Sequence, residues 1–356
     1  MKIVRKSSKK KLNYKKLYKI SNKIYKTRNI VHESVPISKD EKDNKIEKKW
    51  GEIPLKNPIL HHHQLLYMID GFDQKRGQKV FGHRGYFLKN YGLILLQSLI
   101  NYGQNLLMKR NYTPIQTPFL MKSHIMHEIC QLQEFEENLY KIQQEDQEDM
   151  YLIATSEQPL CGLHSQEWID QKNLPFKYAG ISSCFRKEAG AAGRQTWGIF
   201  RVHQFEKVEQ FIICEPQKSW EEFDNMIQIS EEFLQNLKIP YRVVSIVSGA
   251  LNGAAAKKCD LECWFPGYRE YKELMSISNC TDYQSRQLNI QTGEPKNKQY
   301  VHLLNGTLCA AQRTLTCILE NYQEKEGIRV PDVLQPYVGI DFIKFKHEQP
   351  KNNQFD

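Results

Sequence analysis

Apolar positions along the chain fall at helical spacing in three segments. Residues 93–108 and residues 220–234 each place apolar side chains three or four positions apart, which predicts amphipathic helices. A third helix is predicted over residues 308–322, after the turn signal Asn305-Gly306.

Other segments are rich in aromatic and β-branched side chains, which predicts strands. Pro114 and Pro118 interrupt the first of them and cannot donate to a central ladder, so we expect that strand at a sheet edge. Because strands and helices do not alternate as βα units, the pattern favours an α+β fold with an antiparallel sheet. The predicted strands cover residues 112–119, 178–185, 200–205, 208–213 and 241–247.

The composition is that of a globular protein. The 356 residues are 40% hydrophobic and 26% charged, and they are enough for one large domain or two modest ones. No apolar run approaches the ~20 residues that a membrane-spanning helix needs, so we expect no membrane partner. Nine scattered cysteines, an odd number, predict free thiols in a reducing compartment.

The net charge of +9 is concentrated at the N-terminus. Residues 1–29 carry twelve Lys and Arg and no acid, so the rest of the chain sums to about −3. Such an extension is attracted to phosphate backbones in a salt-dependent way. A solvated, poorly ordered extension is the alternative. Residues 30–60 are polar and broken by prolines, which predicts a linker onto the main domain.

Neither GxxxxGK[ST] nor GxGxxG after a strand occurs, so a nucleotide would have to be held by side chains. Arginine suits this task because its planar fork matches phosphate oxygens and keeps its charge. Two strand-like arms flank a glycine-containing loop and carry Arg186, Glu188, Arg201, His203 and Phe205. A plain hairpin with a surface ion pair between Arg186 and Glu188 is the alternative.

Two clusters have metal-ligand residue types without suitable spacing. His61, His62 and His63 are adjacent, so their side chains do not converge well on one ion. Cysteines 259, 263 and 280 have one short spacing and no obvious fourth ligand. We expect neither cluster to bind a metal.

Five segments together resemble class II seryl-tRNA synthetases. The stretch FRKEAGAAGRQTWGIFRVHQFEKVEQF resembles their second signature motif, and LNGTLCAAQRTLTCILENYQ resembles the third. The likeness spans about residues 29–339 and is closer to the eukaryotic cytosolic branch. The five segments are residues 112–118 (the first, dimer-forming motif), 154–159, 185–211, 260–266 and 304–323.

The resemblance implies a cytosolic homodimer with a class II core, an antiparallel sheet flanked by helices. It implies a basic extension (1–29), a catalytic domain (30–345) and a tail (346–356). The implied substrates are L-serine, ATP and tRNA-Ser, with Mg²⁺ as cofactor. Serine and ATP would form seryl-adenylate, and the seryl group would then move to the terminal adenosine of the tRNA.

Site residues also follow from the resemblance. Arg186 and Arg313 would be catalytic, Phe205 would stack on adenine, and Glu273 with Ser276 would ligate Mg²⁺. The implied ATP-binding residues are Arg186, Lys187, Glu188, Val202, His203, Gln204, Phe205, Glu273, Leu274, Met275, Ser276 and Arg313. The implied serine-binding residues are Thr155, Ser156, Glu157, Arg186, Glu209, Asn305 and Thr307.

Several of these residues have an ordinary interpretation as well. Glu209, beside Lys207, is typical of a surface acid when it is taken alone. Thr307 is equally typical of the N-cap of the third predicted helix. Arg313 is typical of a helix surface, where its stem packs and its head stays in water.

The sequence departs from the family at three places, the smallest of which is Asn111 before the first motif, where the family frequently has Gly. Gln195 and Trp197 stand in the second-motif loop where the family usually has Asp and a polar residue, which bears on the transfer to tRNA. About thirty residues precede the match, too few for the family's long helical arm. Three explanations remain for the missing arm: an incomplete sequence, an arm replaced by the basic extension, and loss of tRNA charging.

Rival functions are an amino-acid ligase for a carrier protein and a non-catalytic regulator, although a regulator predicts loss of the charged ligands, which are present.

Overall fold

A computed structural model describes residues 27–53, 59–129, 137–145, 147–188, 193–294 and 296–350. The predictions for the basic residues 1–26 and for residues 351–356 lie outside the described residues, as does the side chain of Gln195. Within the described ranges, no helix has both the length and the apolar character needed to cross a membrane.

Both amphipathic helices predicted from residues 93–108 and 220–234 are present, and each is slightly longer than its apolar stripe. The helices of the described residues are α1 (His62–Met68), α2 (Gln74–Phe81), α3 (Asn90–Lys109), α4 (Ser123–Ile129), α5 (Glu157–Gly162), α6 (Ser219–Asn236), α7 (Tyr283–Leu288), α8 (Ala311–Asn321) and α9 (Gln335–Val338).

The strands include long ones in the centre of the chain and short ones around them. They are β1 (Lys45–Trp50), β2 (Phe72–Asp73), β3 (Phe87–Leu88), β4 (Thr113–Gln116), β5 (Leu120–Lys122), β6 (Lys141–Ile142), β7 (Met150–Leu152), β8 (Trp168–Ile169), β9 (Phe176–Phe185), β10 (Gln204–Cys214), β11 (Tyr241–Ser245), β12 (Lys257–Phe265), β13 (Glu270–Asn279), β14 (Gln291–Glu294), β15 (Asn297–Tyr300), β16 (His302–Ala310), β17 (Gln323–Glu324), β18 (Gly327–Arg329) and β19 (Phe342–Lys344).

Eight strands form the main sheet in the order β1-β11-β12-β13-β16-β10-β9-β4. All neighbours run antiparallel except β4, which is parallel to β9. The α+β fold with an antiparallel sheet is therefore confirmed. β4 contains Pro114 and lies at an edge of the sheet, as the proline predicted.

Apolar layers cover both faces of this sheet. Along β10, Val208 and Ile212 join the layer that α3, α6 and α8 complete, while Phe211 and Ile213 join the layer on the other face with α4 and α5. This alternation follows from the period of two in a strand. Eight cysteines are described, and all are buried and free, as their spacing predicted.

The helix predicted over residues 308–322 begins too early. Residues up to Ala310 belong to β16, and α8 starts at Ala311. A fully buried strand is a continuous apolar run, which periodicity alone does not distinguish from a helix. Gly306 pairs with Gln210 and Ile277 inside the sheet, where a Cβ would lie 2.9 Å from side-chain atoms of Ile277 and Met226. Thr307 is therefore inside a strand and does not cap a helix.

The strand predicted over residues 200–205 is also mostly wrong. Only Gln204 and Phe205 belong to β10, and the preceding residues form turns that begin at Gly198, whose φ is +57°. Phe200 and Val202 are nevertheless buried. Their apolar character reflects packing under a loop rather than pairing in a sheet.

Contacts to the main domain occur next to both predicted domain bounds, and the bounds themselves stay predictions. The side chain of Asn29 donates to the carbonyl oxygens of Ala254 (2.7 Å) and Cys280 (2.8 Å). The backbone N–H of Lys346 donates to the carbonyl of Met68 at 2.7 Å. The segment after residue 345 is thus attached to the domain where it begins.

Candidate active site

A cavity opens where β9 ends, between β10, β13, β16 and the start of α8. It collects side chains from distant parts of the chain, and many of them were predicted from the resemblance. The predicted residues that line it are Arg186, Glu188, Val202, Phe205, Glu273, Leu274, Thr307 and Arg313. Others that line it include Phe200, Arg201, Lys207 and Gln312.

Three guanidinium groups face this cavity. The Cζ atom of Arg186 lies 5.2 Å from the ring centroid of Phe205, and that of Arg313 lies 5.0 Å from the ring of Phe200. Burial lowers the pKa of Arg313, as do the positive charges of Arg186 and Arg201, against the opposing effect of Glu273. Like charges held this close favour an anion between them, and their planar forks suit phosphate.

The ion pair considered between Arg186 and Glu188 is not formed. β9 ends at Phe185, and Glu188 has a φ of +48°, so the two residues do not share one face of a strand. Glu188 instead faces Arg201, with 3.5 Å between Oε2 and Nη1. A non-glycine residue in the left-handed region stores strain, which is typical of loops that bind ligands.

A polar pocket adjoins the arginines. Thr155 Oγ1 donates to Glu209 Oε2 at 3.0 Å, and Asn305 Nδ2 donates to Glu157 Oε1 at 3.0 Å. Lys207 pairs with Glu209 and donates to the hydroxyl of Thr307 at 3.3 Å. The pocket thus presents two carboxylates, an amide and two hydroxyl groups, which suits a small ligand with an ammonium and a hydroxyl group.

The two carboxylates of the pocket influence each other. Burial raises the pKa of Glu157 to about 7, and the charge of Glu209 adds to this, while Lys207 and a hydrogen bond from Gln284 act in the opposite direction. Gln284 Nε2 lies 3.2 Å from Glu157 Oε1. Glu157 therefore changes its charge near neutral pH.

The structure corrects the surface interpretation of Glu209. Glu209 is 2% exposed and Lys207 is 6% exposed, so both charges are buried as a pair. Their i, i+2 spacing on a strand, which places both side chains on one face, was the available signal. The role of Gln284 had no comparable signal because it comes from α7, far away in sequence.

Glu273 and Ser276 lie on β13, three residues apart. On a regular strand this spacing puts two side chains on opposite faces. The pairing with β12 shifts by one residue between Leu261 and Glu262, which allows Glu273 and Ser276 to approach the same face. Asp260 pairs with Ser276 across the strands, and its Oδ1 atom has no hydrogen-bond partner among the described residues.

The charge of Glu273 is stabilised by its surroundings. Burial raises the pKa of its carboxyl group, but Lys258, Arg313 and Arg186 outweigh this effect and lower the pKa overall. Asp260 changes in the opposite direction, because burial and the charge of Glu273 raise its pKa. One carboxylate is thus held charged next to a second that binds its proton more readily.

The remaining predicted residues do not present their side chains to the cavity. Met275 is fully buried in the apolar core, and Ser156 is buried behind Gly180. Gln204 is exposed and lines a different, apolar groove. His203 Nδ1 lies 3.1 Å from the carbonyl oxygen of Arg186, and the N–H of Lys187 donates to the carbonyl of Asn138 at 2.9 Å.

The fold and the cleft have counterparts among known proteins. Residues 140–322 match the tRNA synthetase class II core domain (G, H, P, S and T), so the chain carries a class II synthetase core. It is 58% identical over 327 residues to the cytoplasmic serine–tRNA ligase of Dictyostelium discoideum, covering 91% of this chain and 72% of that relative. It is 52% identical over 353 residues to the cytoplasmic serine–tRNA ligase of Saccharomyces cerevisiae, covering 94% of this chain and 76% of that relative.

Solved structures agree with these relatives. The cytoplasmic serine–tRNA ligase of Naegleria fowleri in complex with AMP superposes with a TM-score of 0.91 and 48% identity, covering 96% of this chain and 82% of that one. The seryl-tRNA synthetase of Pyrococcus horikoshii complexed with ATP superposes with a TM-score of 0.88 and 41% identity, covering 93% of this chain and 78% of that one. The chain belongs to the serine–tRNA ligase family. The class II core and the ligase activity predicted from the motifs are thereby confirmed.

Proposed function

We propose that this serine–tRNA ligase performs both of its steps in the cleft at the end of β9, as a cytoplasmic homodimer that uses Mg²⁺. The observation that carries the proposal is the meeting of two groups of side chains. Guanidinium groups from the end of β9, from the second-motif loop and from α8 border a cluster of carboxylates and hydroxyls from β10, from β16 and from the start of α5. The guanidinium groups suit phosphates, and the carboxylates and hydroxyls suit an amino acid.

The first step needs positioning more than a protein base. A carboxylate oxygen of serine attacks the α-phosphorus of ATP, the bond from that phosphorus to the bridging oxygen breaks, and pyrophosphate leaves with the electron pair. Arg186 lines the cavity, and its Nη2 lies 3.5 Å from the carbonyl oxygen of Ala154, the residue before Thr155 of the polar pocket. From there it can hold the carboxylate and the α-phosphate in line. Stabilising the charge that builds up there accelerates this type of reaction.

Serine recognition follows from the hydrogen bonds of the polar pocket. Glu157, Glu209 and Asn305 offer charged and polar atoms that a bound ammonium and hydroxyl group would satisfy. Alanine lacks the hydroxyl, so its binding would leave a buried polar group unpaired, which is costly. The pocket therefore favours serine over alanine.

Glu273 and Ser276 would hold Mg²⁺. Both supply hard oxygen ligands, and the shifted register of β13 allows them to approach one face. The neighbouring Asp260 supports this proposal, since its buried Oδ1 has no hydrogen-bond partner among the described residues and could accept from a water ligand of the ion. When bound, the ion neutralises charge on the phosphates of ATP.

Serine-dependent exchange of pyrophosphate into ATP, followed by aminoacylation of tRNA-Ser, tests the proposed function on the purified chain. We expect both activities. Exchange without charging would favour the carrier-protein ligase. Absence of exchange would contradict the assignment of the cleft.

The pH dependence of serine binding tests the role of Glu157. Above its pKa of about 7, Glu157 is a carboxylate that accepts hydrogen bonds from serine; below it, the group is protonated and loses that capacity. We therefore expect the KM for serine to fall as the pH rises through about 7. Glu157→Gln is the control, since pH effects that arise in the substrates persist in it. An equally steep profile in Glu157→Gln would exclude Glu157 as the titrating group.

The homodimer is proposed from a groove between α2, β3 and α3. Val80, Phe81, Phe87 and Leu93 line it and are exposed, with Val80 74% exposed and Phe87 48% exposed. Grouped apolar side chains of this kind mark interaction surfaces. The groove adjoins α3, which leads into β4 and the dimer-forming motif, so a second copy of the chain is its occupant.

Val80→Asp tests this interface. Placing a charge in the groove should make the protein monomeric at concentrations where the parent is a dimer, because a buried unpaired carboxylate is costly. Sedimentation equilibrium measures the effect. Ile37→Asp is the matched control, since Ile37 is 83% exposed and lies outside the groove. A Val80→Asp protein that remains dimeric would place the interface elsewhere.

A further inference from the structure

A fully buried histidine connects two walls of the cleft without lining it. His62, at the start of α1, has acceptors at both ring nitrogens. Nδ1 lies 3.3 Å from Glu320 Oε1, and Nε2 lies 3.2 Å from the carbonyl oxygen of Trp197. Polar partners at both nitrogens fix the orientation of the ring. We refer to this arrangement as the His62–Glu320 bridge.

One end of the bridge is fixed to α8, the helix that carries Arg313. Glu320 is fully buried in this helix and also accepts from the backbone N–H groups of His62 (3.2 Å) and Gly267 (2.9 Å). Burial raises the pKa of Glu320, but hydrogen bonds from His61 and His62 outweigh it and lower the pKa to about 2. This end of the bridge is therefore a permanent carboxylate with several donors.

The other end holds the returning arm of the second-motif loop. Trp197 precedes Gly198, and a Cβ at Gly198 would lie 2.6 Å from His62 Nε2, so the arm fits closely against the ring. Three residues further on, this arm supplies Arg201, which faces Glu188 in the cavity. It also supplies Phe200, over which Arg313 lies at 5.0 Å.

We propose that His62, acting through Glu320, is a positioning residue for ATP: it fixes the returning arm of the loop against α8 and so sets the gap between Phe200, Arg201 and Arg313. The inference rests on the proposed function of the cleft. Serine recognition does not depend on the bridge, because the residues of the polar pocket come from β10, β16 and α5.

The test compares kinetic constants for the two substrates in His62→Gln and Glu320→Gln. A glutamine at position 62 can donate to only one of the two acceptors, and a glutamine at position 320 removes the charge. Displacement of the arm by about 1 Å should lower kcat/KM for ATP in the exchange reaction by about ten- to a hundredfold. The KM for serine should stay near that of the parent.

Glu231→Gln is the matched control for stability. Glu231 is another buried acid with good partners, Tyr241 Oη at 2.7 Å and Lys48 Nζ at 2.8 Å, and none of these residues lines the cleft. The Glu231→Gln substitution should lower the melting temperature without changing kcat/KM for ATP. If His62→Gln and Glu320→Gln behave in the same way, with unchanged constants for ATP, the bridge is only structural and the inference is wrong.

Failure of the inference is distinguishable from failure of the proposed function. The parent chain must first show serine-dependent exchange, and its absence would contradict the proposed function alone. In that case the Kd for ATP, measured by titration calorimetry, still tests the bridge: we expect weaker ATP binding in both variants, and unchanged binding would overturn the inference.

Trp197 emission gives a second readout, because the rings of His61 and His63 lie 6.0 Å and 5.4 Å from its indole. His62→Gln should change that emission, and the change should disappear in a Trp197→Phe background.

Discussion

Replacing Arg186 by alanine should lower serine-dependent ATP–pyrophosphate exchange by at least about a hundredfold, because one preorganised charge at the reacting phosphate is typically worth that much. The fold should remain intact. The side-chain contacts of Arg186 are a long hydrogen bond to the carbonyl of Ala154 (3.5 Å) and the face of Phe205. Neither contact is a main support of the core.

Arg329→Ala provides the matched control for loss of one positive charge. Arg329 forms surface ion pairs with Glu324 and Asp341, far from the cleft in the small sheet of β17, β18 and β19. Its exchange activity should equal that of the parent. Near-normal exchange in Arg186→Ala would refute the role assigned to Arg186.

Replacing Glu209 by glutamine should weaken serine binding and destabilise the fold together. The change leaves the buried Lys207 without its countercharge, which costs about 3 kcal/mol of the free energy of unfolding in comparable pairs. It also replaces the charged acceptor of the hydrogen bond from Thr155 by a neutral amide. We expect the KM for serine to rise by about a hundredfold, corresponding to loss of a charged hydrogen bond worth about 3 kcal/mol. Urea unfolding and exchange kinetics measure the two effects.

Glu222→Gln separates these effects. Glu222 pairs with Lys177 at 2.6 Å, is nearly as buried, and lies outside the pocket. It should lower stability without changing the KM for serine. If Glu209→Gln also leaves that KM unchanged, Glu209 is a structural acid rather than a ligand.

Much of this fold follows from local patterns. The apolar stripes of α3 and α6 and the edge strand with Pro114 lie where the sequence predicts them, because a stripe at helical spacing and a missing N–H donor are properties of the segment itself. The residues before Ala311 are different. Apolar layers cover both faces of β16, and this tertiary context makes a strand of a segment whose apolar run fits a helix equally well.

The candidate site also depends on tertiary contacts that local sequence patterns do not contain. The motifs bring Arg186, Glu209 and Arg313 to attention, but burial of the Lys207–Glu209 pair depends on β16 and β9 covering β10 on both sides. The pairing of Glu188 with Arg201 likewise depends on a backbone turn at Glu188, which the residue types of this segment do not predict. The His62–Glu320 bridge joins residues 258 positions apart, so no local pattern contains it.

A crystal structure with a non-hydrolysable seryl-adenylate analogue tests whether both substrates bind in this cleft. We expect adenine beside Phe205, the phosphate mimic in contact with Arg186, Arg313 on the other side of the nucleotide, and the seryl group among Thr155, Glu157 and Asn305. An analogue bound in another place, such as the apolar groove at Val80, or bound with these side chains turned away from it, would rule out the proposed site.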